Sequence, residues 1–166
     1  MGIERIVCNF NSSCLSWRNV DDVVMGGRSS SSMQVDPEGP ATFKGVLSLE
    51  RNGGFASVRA VPDEKNYTDC DRFRLRVKGD GRRYSFRVRN DDRFDGVVYA
   101  SDFGTVAGEW MEVELPFSGF RPLFRGKIVS GAAPMDPGNV AQLGVLIASK
   151  QEGPFCLQIE WIKASG

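Results

Sequence analysis

The 166-residue chain contains no histidine. That absence removes Ser-His-Asp and Cys-His catalytic arrangements and every histidine-ligated zinc centre. Cysteine is sparse: Cys8, Cys14, Cys70 and Cys156 are scattered without a C-x-x-C pair. Zinc ribbons and thioredoxin-like motifs are thereby excluded, and reduced, partly buried thiols are expected. Net charge is missing as well, since 21 basic residues balance 21 acidic ones. No global field gathers nucleic acid, so any such binding would need a local basic patch. No apolar run reaches the length of a membrane span, and the opening "MGIERIVCNFNSSC" has neither a signal peptide's basic start nor a myristoylation pattern. The expectation is a cytoplasmic protein, or one inside an organelle where a targeting segment has been removed, with no cofactor and no metal.

Helical periodicity is almost absent too. What is there instead is a period of two, in "RFRLRV", "YSFRVR", "WMEVEL" and "CLQIEWI", which reads as half-buried strands with one wet face. Nineteen glycines and eight prolines punctuate these runs at spacings suited to turns, so the chain predicts an all-β sandwich or barrel. No composition shift or repeat divides residues 1–166, which are read as one domain. The irregular segment from Phe117 to Pro137 is expected to be a long loop over one rim.

The glycine-bearing stretch "DDVVMGGRSSSS" (residues 21–32) fails two site tests. It lacks the lysine and the glycine spacing of a phosphate-binding loop, and no second glycine follows its serines as a nucleophile elbow requires. The acidic stretch "RNDDRFDG" gathers Asn90, Asp91, Asp92 and Asp95 but lacks the order of an EF-hand calcium loop. No pair of carboxylates is set up for acid–base work, so no catalytic residue is assigned and the chain is read as a non-enzyme. Among the aromatics, Trp161 is in phase with Leu157 and Ile159 and is assigned to the core. Trp110 is out of phase with Met111, Val113 and Leu115 and is assigned to the surface, where it or Tyr99 would suit stacking on a sugar ring.

"RFRLRVKGDGRRYSFRVRN" carries the strongest pattern. Phe73, Leu75 and Val77 alternate with Arg72, Arg74, Arg76 and Lys78; after Gly79-Asp80-Gly81, Tyr84, Phe86 and Val88 alternate with Arg83, Ser85, Arg87 and Arg89. Read as a hairpin, this places Arg72, Arg74, Arg76, Arg87 and Arg89 on one basic face. Glu112, Glu114 and Glu160 on neighbouring strands would neutralise part of that face, and three glutamates fall short of the cations. The surplus predicts a docking surface for an acidic protein or, less favoured, for RNA or a phosphate ligand.

Trp17 with "VDDVVMGGRSSS", then "FKGVLSLERNGGFASVR", "LRVKGDGRRYSFRVR", "EWMEVELPFSGF" and "GPFCLQIEWI", in that order, resembles the complex I intermediate-associated protein 30 family from about Trp17 to Ile162. Asp21 and Val23 stand where the family's commoner "NDGVMGG" form has asparagine and glycine. The resemblance implies a galactose-binding-like jelly-roll β-sandwich of the carbohydrate-binding-module type. It also implies a non-enzymatic assembly factor, chaperone-like in role, for a membrane-bound electron-transfer complex, respiratory or photosynthetic, with a subunit or subcomplex as partner. A carbohydrate-binding module is the alternative. The residues expected to bind are Trp17, Asp22, Met25, Gly26, Gly27, Arg28, Ser29, Asn52, Gly53, Gly54 and Phe55, together with the five arginines above and Trp110. The Gly26-Gly27 and Gly53-Gly54 pairs are expected to adopt positive φ or close packing, beside one another.

Overall fold

A computed structural model describes residues 2–9, 17–20, 30–35, 40–48, 54–93, 95–148 and 151–166. Its strands are β1 (Glu4–Asn9), β2 (Arg18–Asn19), β3 (Ser30–Val35), β4 (Ala41–Leu47), β5 (Ala56–Ala60), β6 (Arg72–Lys78), β7 (Arg83–Arg89), β8 (Val98–Gly104), β9 (Trp110–Pro116), β10 (Arg121–Phe124), β11 (Lys127–Ile128), β12 (Gln142–Ile147) and β13 (Gly153–Ser165). They form two antiparallel sheets, the jelly-roll β-sandwich that the resemblance implies. The first runs β3-β4-β13-β6-β9, with β1 also paired to β13, and the second runs β11-β10-β8-β7-β12-β5-β2. Alternating side chains from both sheets meet in a single large apolar cluster that includes Phe43, Leu75, Val77, Phe86, Val145 and Ile159.

The expected hairpin is overturned. β6 pairs with β13 and β9, whereas β7 pairs with β8 and β12, so the two strands lie in different sheets. Their apolar faces look at each other across the core, with the Phe73 and Phe86 ring centroids 5.3 Å apart. Two strands that each have one apolar face satisfy both by facing one another across a sandwich, whereas a shared sheet would need a separate cover. The connection is held by side chains: Gly81 N–H donates to Thr105 Oγ1 (3.0 Å), Thr105 Oγ1 donates to the Arg82 carbonyl (2.7 Å), and Tyr84 donates its hydroxyl to Asp80 (3.0 Å). Gly79 is required there because a Cβ would overlap the Thr105 side chain.

Two further expectations change. The segment from Phe117 to Pro137 contains a 3-10 turn (Phe117–Gly119) and the small β10–β11 pair, which extends the edge of the second sheet. Trp161 leaves the core because a register shift between Ile159 and Trp161 in β13 turns it to the opposite face, where it pairs with Arg76. Gly54, by contrast, has φ +134°, in the range that favours glycine, as expected of its pair; Gly26, Gly27 and Gly53 lie outside the described residues. Replacing Gly54 by valine is expected to destabilise the protein by about 1–3 kcal/mol through backbone strain, measured as a lower denaturant midpoint at unchanged slope.

Candidate functional site

The arginines expected on one face are divided between the two outer faces of the sandwich, and those faces differ in how they meet their charge. On the first sheet, Arg72, Arg74 and Arg76 lie opposite Pro116, Glu114 and Glu112 of β9. Arg74 pairs with Glu112 at 2.8 Å and with Glu4 at 3.5 Å, Arg76 pairs with Glu160 at 2.6 Å, and Arg72 pairs with Asp71 at 2.9 Å and Glu114 at 3.3 Å. Lys163 takes the other oxygen of Glu4 at 2.9 Å, and that contact holds the Glu4 carboxyl below its ordinary pKa. Two tryptophans complete the surface: Arg76 lies 5.4 Å over Trp110, while Arg74 and Lys163 lie 5.7 and 4.3 Å over Trp161. Every arginine of β6 on this face therefore has a carboxylate, and the lattice of cross-strand pairs is neutralised from within.

The second sheet is arranged differently. Its register sets Arg121, Ala100, Arg87, Gly144, Arg59 and Arg18 in one row across five neighbouring strands and the edge strand β2. Arg89 and Gln142 lie side by side in the next row. The outer carboxylates are engaged at the margins, Asp102 by Arg121 (3.2 Å) and Asp95 by Arg125 (2.8 Å). Among the described residues no carboxylate comes within ion-pair distance of Arg87 or Arg89. Arg87 donates from Nε to Ser85 Oγ (3.2 Å), and Arg89 donates from Nη1 to the Gly96 carbonyl (3.1 Å).

Burial leaves a mark on the acidity of these cations. Burial, followed by the charges of Arg89, Arg18 and Arg87, lowers the Arg59 pKa to about 10. Burial also lowers Arg87 to about 10, against the opposing pull of Asp102, and lowers Arg89 against the pull of Asp91 and Asp95. All three remain protonated at neutral pH. Between them lies a small pocket open to solvent, lined by Arg59, Arg87, Arg89, Val98, Gln142 and Gly144 among others. Gln142 is buried and fixed there, donating its amide to the Asp91 and Arg93 carbonyls at 3.0 and 2.8 Å.

The remaining expected residues are placed as follows. Trp17 packs against the core, and Trp110 is 37 % exposed on the first sheet. Tyr99 is no sugar platform, because it is buried and donates its hydroxyl to the Ala133 carbonyl at 2.7 Å. Phe55 and Gly54 lead into β5, and Asp22, Met25, Gly26, Gly27, Arg28, Ser29, Asn52 and Gly53 lie outside the described residues. Among the acidic turn residues, Asn90 donates to the Asp136 and Asn139 carbonyls, and no group of three or more metal-ligating side chains occurs among the described residues. Sequence reasoning passed over Arg59, Gln142 and Gly144. The available signals were a lone arginine in the small-residue strand "ASVRA" and a glycine inside the apolar run "QLGVLI", the latter a sign of close backbone approach.

Comparison with known proteins adds to this geometry. The family model described as Complex I intermediate-associated protein 30 (CIA30) matches residues 8–159. The mitochondrial Complex I intermediate-associated protein 30 of Mus musculus is 29 % identical over 88 % of this chain and 51 % of its own length. The mitochondrial protein of the same name from Drosophila melanogaster is 25 % identical over 88 % of this chain and 57 % of its own. This chain thus spans about half the length of each. Among solved structures, the family 11 carbohydrate-binding module of Clostridium thermocellum, in complex with a mixed-linked tetrasaccharide, superposes with a TM-score of 0.70 at 17 % identity, covering 97 % of this chain and 94 % of the module. The family 29 module from Piromyces equi gives 0.56 at 11 %, over 99 % of this chain and 90 % of that module. At these identities the likeness shows the fold alone.

Proposed function

We propose, from the premise that this chain belongs to the Complex I intermediate-associated protein 30 family, that it is a non-enzymatic binding protein. Its task is to hold a subunit or subcomplex of a membrane-bound electron-transfer complex during assembly. The observation that carries the choice of docking face is the contrast between the two sheets. The first sheet's β6 arginines are met by the chain's own carboxylates, whereas Arg87 and Arg89 on the second have none among the described residues. A half-buried cation with no carboxylate within ion-pair distance gains most from an acidic partner surface, which supplies a close counter-charge while excluding water. No helix of the described residues is long and apolar enough to cross that membrane.

Of the two stacking residues weighed for the sugar-binding alternative, Tyr99 is buried, whereas Trp110 is exposed with Arg76 over its ring. Mild crosslinking in a native extract followed by purification and mass spectrometry tests the proposal. The expected result is a complex containing a subunit of an electron-transfer assembly, with recovery falling as salt is raised because screening shortens the reach of the arginine field. Recovery of the monomer alone would contradict it.

A further inference from the structure

The pocket over Gly144 has features that a flat docking face does not need. β12 separates β7 from β5, so the backbones bearing Arg87 and Arg59 stand about 10 Å apart, and the residue between them contributes no side chain. The result is a floor of bare backbone in a pocket that Arg59 and Arg87 line, with Arg89 one pleat further along β7 and Val98 and Leu146 also in its lining. Glycine is held at the floor by the backbone itself, since a Cβ at 144 would stand 2.5 Å from the Val58 carbonyl oxygen.

The unused donors are specific. With Nε of Arg87 on Ser85 and one terminal nitrogen of Arg89 on Gly96, both terminal nitrogens of Arg87 and two nitrogens of Arg89 have no acceptor among the described residues. Arg59 lines the same opening. One carboxylate would offset a single charge and leave the remaining cations opposed. A phosphate monoester carries about −1.5 to −2 charge at neutral pH and three acceptor oxygens, which matches the unused donors of two forked side chains on one strand.

We propose that the pocket formed by Arg59, Arg87 and Arg89 over Gly144 is a binding site for a phosphate monoester group. The site is selective for the dianion, and its opening to solvent leaves the rest of the ligand outside the pocket. The group arrives either on a small metabolite or on a phosphorylated side chain of a partner, and both sources use the same donors. This site shares its face with the proposed partner surface but needs no partner to be observed, so either proposal can fail without the other.

Titration of the purified full chain with inorganic phosphate in low-chloride buffer, followed by calorimetry and by the Arg Nε–H signals in NMR, tests it. Saturable one-site binding is expected. It should weaken severalfold between about pH 8 and pH 6, as the inorganic phosphate dianion takes up a proton near about pH 7. Acetate should bind about tenfold more weakly than phosphate at the higher pH, and Arg87→Gln and Arg89→Gln should each weaken phosphate about tenfold. Arg74→Gln, on the other sheet, should leave it unchanged. If Arg87→Gln does not fold, Arg87→Lys retains the charge, removes the fork and should still weaken binding. Glycerol 3-phosphate and a phosphoserine peptide then serve as separate arms, the tighter of the two naming the source. Unsaturable binding, equal affinity for acetate, or equal loss from Arg74→Gln and Arg87→Gln would overturn the proposal.

Discussion

Phe73→Ala is expected to destabilise the protein by about 3–5 kcal/mol, the range for removing a large aromatic from a packed core. Phe73 is completely buried and its ring is the hub of an aromatic cluster. Phe117 lies 4.9 Å from it, Phe86 5.3 Å, Tyr67 5.9 Å and Phe120 6.0 Å, all in tilted or edge-on arrangements. The contact with Phe86 crosses from one sheet to the other, and those with Phe117 and Phe120 fix the turn after β9, so a cavity at Phe73 would loosen both sheets together. Guanidinium unfolding should show the midpoint falling while the slope is retained. Phe73→Leu, which keeps most of the volume, should cost less than half as much; an equal loss in the two variants would show that ring geometry, and not filled volume, holds the cluster.

Gly144→Ala should cost about 2–3 kcal/mol, unusual for the addition of one methyl group. The reason is local: the new Cβ would press on the backbone oxygen of Val58, which cannot rotate away as a flexible side-chain tip can. β12 sits between β7 and β5, so relief at one contact displaces the other pairing. Thermal melting of the variant, compared with a conservative Leu146→Val change in the same strand, separates this clash from a general sensitivity of β12. If Gly144→Ala melts with the wild type, the strand has room that the structure does not show.

Much of the architecture was legible because a strand's period is two. Phe73, Leu75 and Val77 were placed inside and Arg72, Arg74 and Arg76 outside from alternation alone, and the structure buries the first three and leaves the arginines half-buried on the opposite face. Alternation says nothing about which sheet a strand joins, and that is how the β6–β7 connection was misread: Gly79-Asp80-Gly81 has the composition of a hairpin turn, yet it carries the chain from one sheet to the other. It also assumes an unbroken register. A single shift in β13 moved Trp161 from the assigned core to the outer face beneath Arg74 and Lys163.

The candidate site was half legible for a related reason. Arg87 and Arg89 announced themselves in a repeating pattern, but the pocket depends on residues that become neighbours only through pairing, with Arg59 on β5 and Gly144 on β12. β12 is apolar on both sides of its glycine and so gave no alternation from which to infer an outer face. The charge balance of the whole chain concealed the asymmetry as well. A net charge of zero does not reveal that the β6 arginines are paired with carboxylates while Arg87 and Arg89 have none within ion-pair distance among the described residues.

The most direct test of the account compares partner capture by two double variants, Arg74→Gln with Arg76→Gln on the first sheet and Arg87→Gln with Arg89→Gln on the second, each first shown to melt cooperatively. The account predicts that the second-sheet variant captures about tenfold less partner at low salt, while the first-sheet variant stays within about twofold of wild type. Capture lost from the first-sheet variant and kept by the second would contradict it.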